Sequence, residues 1–307
     1  MTYLFIGIGN AGEAISDALL DYKVVRRLKP IVLKTVPERA KEGTIEATIT
    51  EIKGVEFAFL FSDLSNDNIS PHLAELLAGR TIKIILVGIL PANRREKRVN
   101  LKNVYYLMDK LKEHVTSFIL VDNQRIAHLP NFEDYYPSYN RYIASCIADI
   151  LAGTSPSGSL PEEAQSSLQL ADVVKALSFE DEPGYVALSR ASELTKGLWG
   201  YIFPFIRHKP LDLGTLLRVS LEKFSISDAP LGCEKSVSFL QVPEYYIRTR
   251  SVDREQVEEF MRSHAKECRL AVYLSKRNIA AITNVFTYKF DQLERLRELR
   301  GLAYEGV

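Results

Sequence analysis

Glycine occupies positions 7, 9 and 12 in the run Gly7-Ile8-Gly9-Asn10-Ala11-Gly12, a G-x-G-x-x-G spacing whose chemistry would be anion binding. Backbone without Cβ atoms can turn tightly and bring N–H groups close to a phosphate. A helix starting between Asn10 and Ala14 would add free amides and the positive end of its dipole. Such a spacing carries weight only between a strand and a helix. Here Tyr3-Leu4-Phe5-Ile6 is an apolar run of strand formers, and Ala14, Ile15, Ala18, Leu19 and Leu20 recur at helical intervals. Gly7, Gly9, Asn10, Ala11 and Gly12 are therefore the candidate phosphate contacts. A tight strand-to-helix turn that holds nothing is the plainer alternative.

The remaining reactive residue types narrow the choice of ligand. A dinucleotide site of the NAD type wants an acid at the end of the second strand to hold the ribose hydroxyls. That place has Lys34 and Thr35, with Arg39 nearby, which would suit only a 2′-phosphate. The five histidines, His72, His114, His128, His208 and His264, are scattered and form no catalytic set. Asp63 and Asp67 lie in the polar run 62–68, where capping and a solvated loop are favoured over metal ligation. Tyr136 and Asn140 are four apart and share a helix face. A tyrosine ring can stack on a purine, and an asparagine amide offers the donor and acceptor that a guanine edge requires. On spacing alone they are residues of an ordinary surface helix. Cys146, Cys233 and Cys268 show neither zinc spacing nor a disulfide framework, so a reducing, cytoplasmic setting is expected.

These residues need elements to position them. With 307 residues the chain has length for roughly two domains. A hydrophobic share of 46%, a charged share of 25% and a formal net charge of zero are those of a soluble globular protein without a basic field for nucleic acid or membrane. No signal peptide is expected, and the most apolar run, 198–206, is too short to span a membrane and contains Pro204. Strands are predicted at 30–33, 55–61, 81–87 and 118–121, with helices between them near 71–77 and 104–115. A long helix is predicted over 134–153. That alternation indicates a doubly wound α/β sheet with ligands at the carboxyl ends of its strands. Residues 154–161, rich in Ser, Pro and Gly, read as a linker. Beyond it strands at 185–188, 236–242, 268–274 and 279–286, with helices at 211–224 and from Asp253, indicate a smaller α+β domain. A charged helix over 291–300, with Leu293, Leu296 and Leu299, reads as a packed tail. The boundaries are thus 1–153, 154–172, 173–290 and 291–307.

Taken in order, several segments resemble the tubulin/FtsZ superfamily, particularly its archaeal CetZ-like branch. The opening FIGIGNAGEAI is similar to the first nucleotide loop. Pro91 with the basic loop 93–98 resembles the loop that bears arginine and glutamate. Residues 118–125 resemble the strand ending in an Asn-x-Arg segment. Tyr136 and Asn140 match the head of the central helix, and 168–173 resembles the loop after it. The resemblance covers nearly the whole chain, each motif partially. It implies GTP or GDP as ligand, with Mg2+ beside it, guanine contacts at Tyr136 and Asn140, and further phosphate contacts at Ser65 and Asn66. It also implies head-to-tail association with copies of itself or with another protein of the superfamily.

Two departures bear on activity. The family's second phosphate loop has the form G-G-G-T-G-[ST]-G, whereas 62–68 contains no glycine and carries Asp63 and Asp67. Two carboxylates there repel a triphosphate unless a cation intervenes. The loop after the central helix supplies acids to the next subunit's nucleotide. Here Ser167, Gln169 and Asp172 align, and Gln169 can orient a water but not take its proton. Asp172 and Gln169 are the candidate catalytic residues, acting on a neighbouring subunit, and GTP hydrolysis is expected to be weak or absent. The alternatives are an NAD(P)-dependent oxidoreductase using Lys34 and Arg39, and a nucleotide-free pseudoenzyme that regulates a related polymer.

Overall fold

The long apolar runs of the first half form strands buried on both faces, as parallel strands between helical layers must be. The computed structural model describes residues 2–35, 49, 51–93, 95–154, 168–196, 208–227, 229, 232–275 and 277–305. β1 (Thr2–Ile8), β2 (Ile31–Thr35), β3 (Val55–Asp63), β4 (Lys83–Leu90) and β5 (Ser117–Asp122) are parallel. β6 (Gly184–Leu194), β7 (Cys233–Pro243), β8 (Ala265–Ser275) and β9 (Ile279–Tyr288) complete one nine-stranded sheet of order β2-β1-β3-β4-β5-β6-β9-β7-β8. The halves join edge to edge where β5 pairs parallel with β6. β9 then runs antiparallel to both β6 and β7.

Helices cover both faces. On one lie α1 (Gly9–Leu20), α2 (Lys23–Leu28), α5 (Tyr136–Thr154) and α6 (Leu170–Ala176), packed through Ile15, Leu19, Val25, Ile147 and Val173. On the other, α3 (Ser70–Ala78), α4 (Arg98–Leu111) and α10 (Glu294–Tyr304) cover the first half. α7 (Leu213–Leu221), α8 (Glu244–Arg248) and α9 (Arg254–Arg262) cover the second. α5 has 19 residues, about 28 Å of helix. Every residue from Ile143 to Leu151 is buried, because α1 lies against one side and strands of the second half against the other. Its one acid there is paired. Asp149 Oδ2 accepts from Arg190 Nε at 2.8 Å and from Thr283 Oγ1 at 2.6 Å, tying the helix to β6 and β9.

The predicted elements are present, several with shifted ends. β6 runs to Leu194 rather than stopping at 188. The serines of β7 are as buried as its apolar residues, and Ser238 Oγ donates to Asn284 Oδ1 at 2.5 Å. The stretch expected as loop up to 172 turns helical at Leu170. α2 and α8 had no counterpart in the sequence reading. The tail helix spans Glu294–Tyr304 and buries Leu296, Leu299 and Ala303. Residues 155–161 of the expected linker, the run 198–206, Arg39, Arg94 and Ser167 lie outside the described residues. Among the described residues no helix is long and apolar enough to cross a membrane.

Candidate functional site

β1 and β3 are neighbours, yet β1 leads into α1 on one face and β3 leads towards α3 on the other. This is the switch point of a doubly wound sheet, and the crevice beyond the strand ends is where such folds take ligands. Gly9 turns the chain into α1 at φ 66°, the left-handed region glycine enters without strain. Ile8, before it, provides no side-chain cap, and Asn10 is exposed. Gly12 serves packing. A Cβ there would lie 2.0 Å from the carbonyl oxygen of Phe61, so α1 can lie on β3 only over glycine. Gly7 sits less tightly under Glu13, whose Cα would lie 2.9 Å from an added Cβ and whose buried Oε1 has no hydrogen-bond partner among the described residues.

The second wall of the crevice, 62–70, is closed on itself. Asp67 Oδ1 accepts from the amides of Ile69 at 2.8 Å and Ser70 at 2.9 Å, while Oδ2 accepts from the hydroxyls of Ser62 and Ser70. Asp63 Oδ1 accepts from Ser65 N at 3.0 Å and Ser65 Oγ at 2.7 Å. Ser65 is therefore buried and turned onto Asp63, and Asn66 Nδ2 donates to Ser65 Oγ at 3.0 Å. Asn66 also lines an open groove of about 870 Å³ between α3 and α4. These are turn and cap bonds, but the run is not the solvated loop expected, since Ser62, Leu64 and Ser65 are buried. Among the described residues no group of three or more His, Cys, Asp or Glu is disposed to hold a metal.

Burial raises the Asp63 carboxyl above the usual range. The Ser65 bonds oppose this, and Glu96 and Asp67 push it further up. A carboxyl whose folded pKa is raised contributes stability at acidic pH that is lost as pH rises through the folded value. Asp63→Asn keeps the acceptor for Ser65 and removes the charge. The substitution is expected to raise the urea midpoint at pH 7 and to gain little near pH 3.

Tyr136 opens α5 half-buried, its ring edge-on to Phe132 at 5.6 Å, with the Arg95 guanidinium 4.9 Å over Phe132. Burial raises its hydroxyl pKa first, and Glu133, Asp63 and Glu96 add to it. Asn140, one turn on, is half-buried and makes no side-chain hydrogen bond among the described residues. The adjoining face of α5 does structural work. Tyr139 donates to the carbonyl of Ser225 at 2.8 Å and Tyr142 to that of Lys223.

The structure separates the two sets of sequence-predicted residues. α5 carries the chain from the carboxyl edge of the parallel strands to their amino edge, where Gln169 precedes α6 and Asp172 lies in its first turn. Gln169 is exposed, and Asp172 Oδ1 lies 3.5 Å from Arg269 Nη1. Neither meets the glycine turn of its own chain. Lys34 Nζ is held by Asp17 at 2.7 Å.

One pair had no sequence signal. Asp122, fully buried at the end of β5, accepts from Gln124 N at 2.9 Å and Ser227 N at 3.1 Å, and lies 3.6 Å from Arg295 Nε. Arg295, from α10, also donates to Pro91 O at 2.5 Å, to Glu298 Oε2 at 2.7 Å and to Asn93 Oδ1. The tail helix thus fastens the loops after β4 and β5. Burial raises the Asp122 pKa, and Arg295 opposes the rise.

No family model matches the sequence, and no curated protein matches it. Solved structures do. CetZ1 from Haloferax volcanii, a GDP-bound monomer, has a TM-score of 0.75 at 16% identity, covering 99% of each chain. CetZ2 from the same organism, a GTPγS-bound protofilament, has a TM-score of 0.71 at 16% identity, covering 99% of this chain and 98% of that one. An empty FtsZ dimer from M. jannaschii has a TM-score of 0.65 at 13% identity, covering 96% of this chain and 90% of that one. The molecule therefore has the tubulin/FtsZ fold. Within that fold its form is CetZ-like, over essentially the whole length of both chains.

Proposed function

We propose that this chain is a divergent tubulin/FtsZ-like cytoskeletal protein. In this reading it binds guanine nucleotide against α1, associates head to tail, and hydrolyses GTP weakly or not at all. The observation that supports it most is the uncapped start of α1 at the switch point. Tyr136 and Asn140, one turn apart at the head of α5, would take the base in this reading. CetZ1 and CetZ2, solved with GDP and GTPγS, share this fold. The fit is uneven. The Gly9 turn and the first amides of α1 suit a phosphate. The start of α3 does not, because Asp67 already takes its amides. Asp63 and Asp67 are engaged by serines and amides, so neither is offered to Mg2+. Gln169 and Asp172, at the far edge, would meet the nucleotide of a second copy in a head-to-tail association. Asp172 is the single carboxylate of that pair, which is the reason for expecting slow hydrolysis. Division into two domains about 154–172 and a cytoplasmic setting belong to the same reading.

The test is direct. Purified protein, heat-denatured, is expected to release GDP or GTP detectable by chromatography. Tyr136→Ala is expected to weaken GDP binding about 5- to 150-fold through lost stacking, and Asn140→Ala to reduce the preference for guanine over adenine. Tyr136→Ala binding GDP as well as the parent, or binding of NADPH without GDP, would sink the assignment. The closure of 62–70 favours one other reading, a nucleotide-free protein acting through its surfaces. That protein would release no nucleotide yet still sediment with a polymer of this fold.

A further inference from the structure

Asp67 gathers four donors on one carboxylate: the amides of Ile69 and Ser70 at 2.8 and 2.9 Å, and the hydroxyls of Ser62 and Ser70. Ser62 is on β3 and Ser70 opens α3, and both side chains are fully buried. Two amides at a helix start together with two hydroxyls are the donor set a bound phosphate requires.

We infer that Asp67 is a built-in anion that fills the start of α3 from within the chain. The crevice then takes no terminal phosphate there, and 62–70 keeps one arrangement whether or not a ligand lies against α1. The reasons are electrostatic and entropic. A second anion cannot share donors with a carboxylate, and Asp63 with Glu96 nearby deepens the same negative field. A tethered carboxylate also competes at a high effective concentration against any free phosphate. Any nucleotide is then held by its base and by the phosphates nearest the ribose, and the chain does not distinguish a triphosphate from a diphosphate. This rests on the reading of the crevice as a nucleotide site.

Thermal unfolding and nucleotide titration of the full chain test it together. The parent protein is expected to bind GDP and GTPγS equally, with an unfolding temperature indifferent to millimolar inorganic phosphate. Asp67→Ala empties the start of α3. It is expected to lower the unfolding temperature by about 2–4 °C, the size of a lost helix cap. Inorganic phosphate should restore that loss, and GTPγS should then bind more tightly than GDP. Asp67→Ser, whose shorter side chain also vacates the start of α3, serves if the alanine variant does not fold, and is expected to respond to phosphate in the same direction. A tenfold preference of the parent for GTPγS would overturn the inference, as would Asp67 variants no more responsive to phosphate than the parent. If the parent binds no nucleotide at all, the crevice reading fails, while the phosphate response of the variants still decides the role of Asp67.

Discussion

Gly12→Ala is expected to cost about 3 kcal/mol or to prevent folding, because the added methyl has nowhere to go. Its carbon would lie 2.0 Å from the carbonyl oxygen of Phe61 and 2.7 Å from the carbonyl carbon. Both are backbone atoms of a central strand paired on each side by β1 and β4, so no side chain can swing away. α1 cannot retreat either, since Ile15 and Leu19 are fully buried in the core it shares with α5. Urea denaturation would measure the loss, and a Gly12→Ala midpoint equal to the parent's would refute this account of the packing. A Gly12 variant that fails to bind nucleotide would report only on the fold. Gly9→Ala differs in kind, because it introduces backbone strain at φ 66°, about 1–2 kcal/mol.

Arg295→Met is expected to destabilise by about 3–5 kcal/mol, the cost of leaving a buried charge without its partner. Asp122 is 0% exposed and Arg295 3%, so solvent cannot replace the guanidinium. The arginine also holds Pro91 and Asn93, and the loops after β4 and β5 loosen with it. The pH dependence has a definite sign. Without Arg295 the Asp122 pKa rises further above its ordinary value, and a raised carboxyl contributes stability in acid that disappears as pH increases. The deficit of Arg295→Met should therefore be larger at pH 7 than at pH 5. The double variant with Asp122→Asn should recover part of it, which a double-mutant cycle in urea would show. A deficit below about 1 kcal/mol at pH 7 would mean that the pair is not what fastens the tail helix.

The sheet and most of its helices were legible because long apolar runs such as 83–90 and 117–122 can be satisfied only in a strand covered on both faces. The glycine turn was legible for the same reason, as a strand and a helix flank it. Shorter pieces were not. α2 has six residues and a single buried one, Val25, so its periodicity never builds up. The role of Asp67 was half visible. Its neighbours marked a cap, but that it takes both Ser62 and Ser70 depends on where β3 ends relative to α3. Asp122 and Arg295 lie far apart in sequence, and an arginine in a helix of charged residues has no local mark of burial. Gly12 read as a phosphate contact, yet what forbids a side chain there is Phe61, which only the packed sheet brings near.

The join between β5 and β6 has a mechanical meaning. Those strands share three paired residues, Ser117 with Gly184, Phe118 with Tyr185 and Ile119 with Val186. β6 and β9, next to them, share ten. The nine-stranded sheet is thus a plate scored near its middle, and a force pulling the halves apart is resisted there by the least backbone hydrogen bonding. α5 backs the scored line from one face, fixed to the far half through Asp149, Arg190 and Thr283. Bending therefore concentrates along this line, with the helix as its splint.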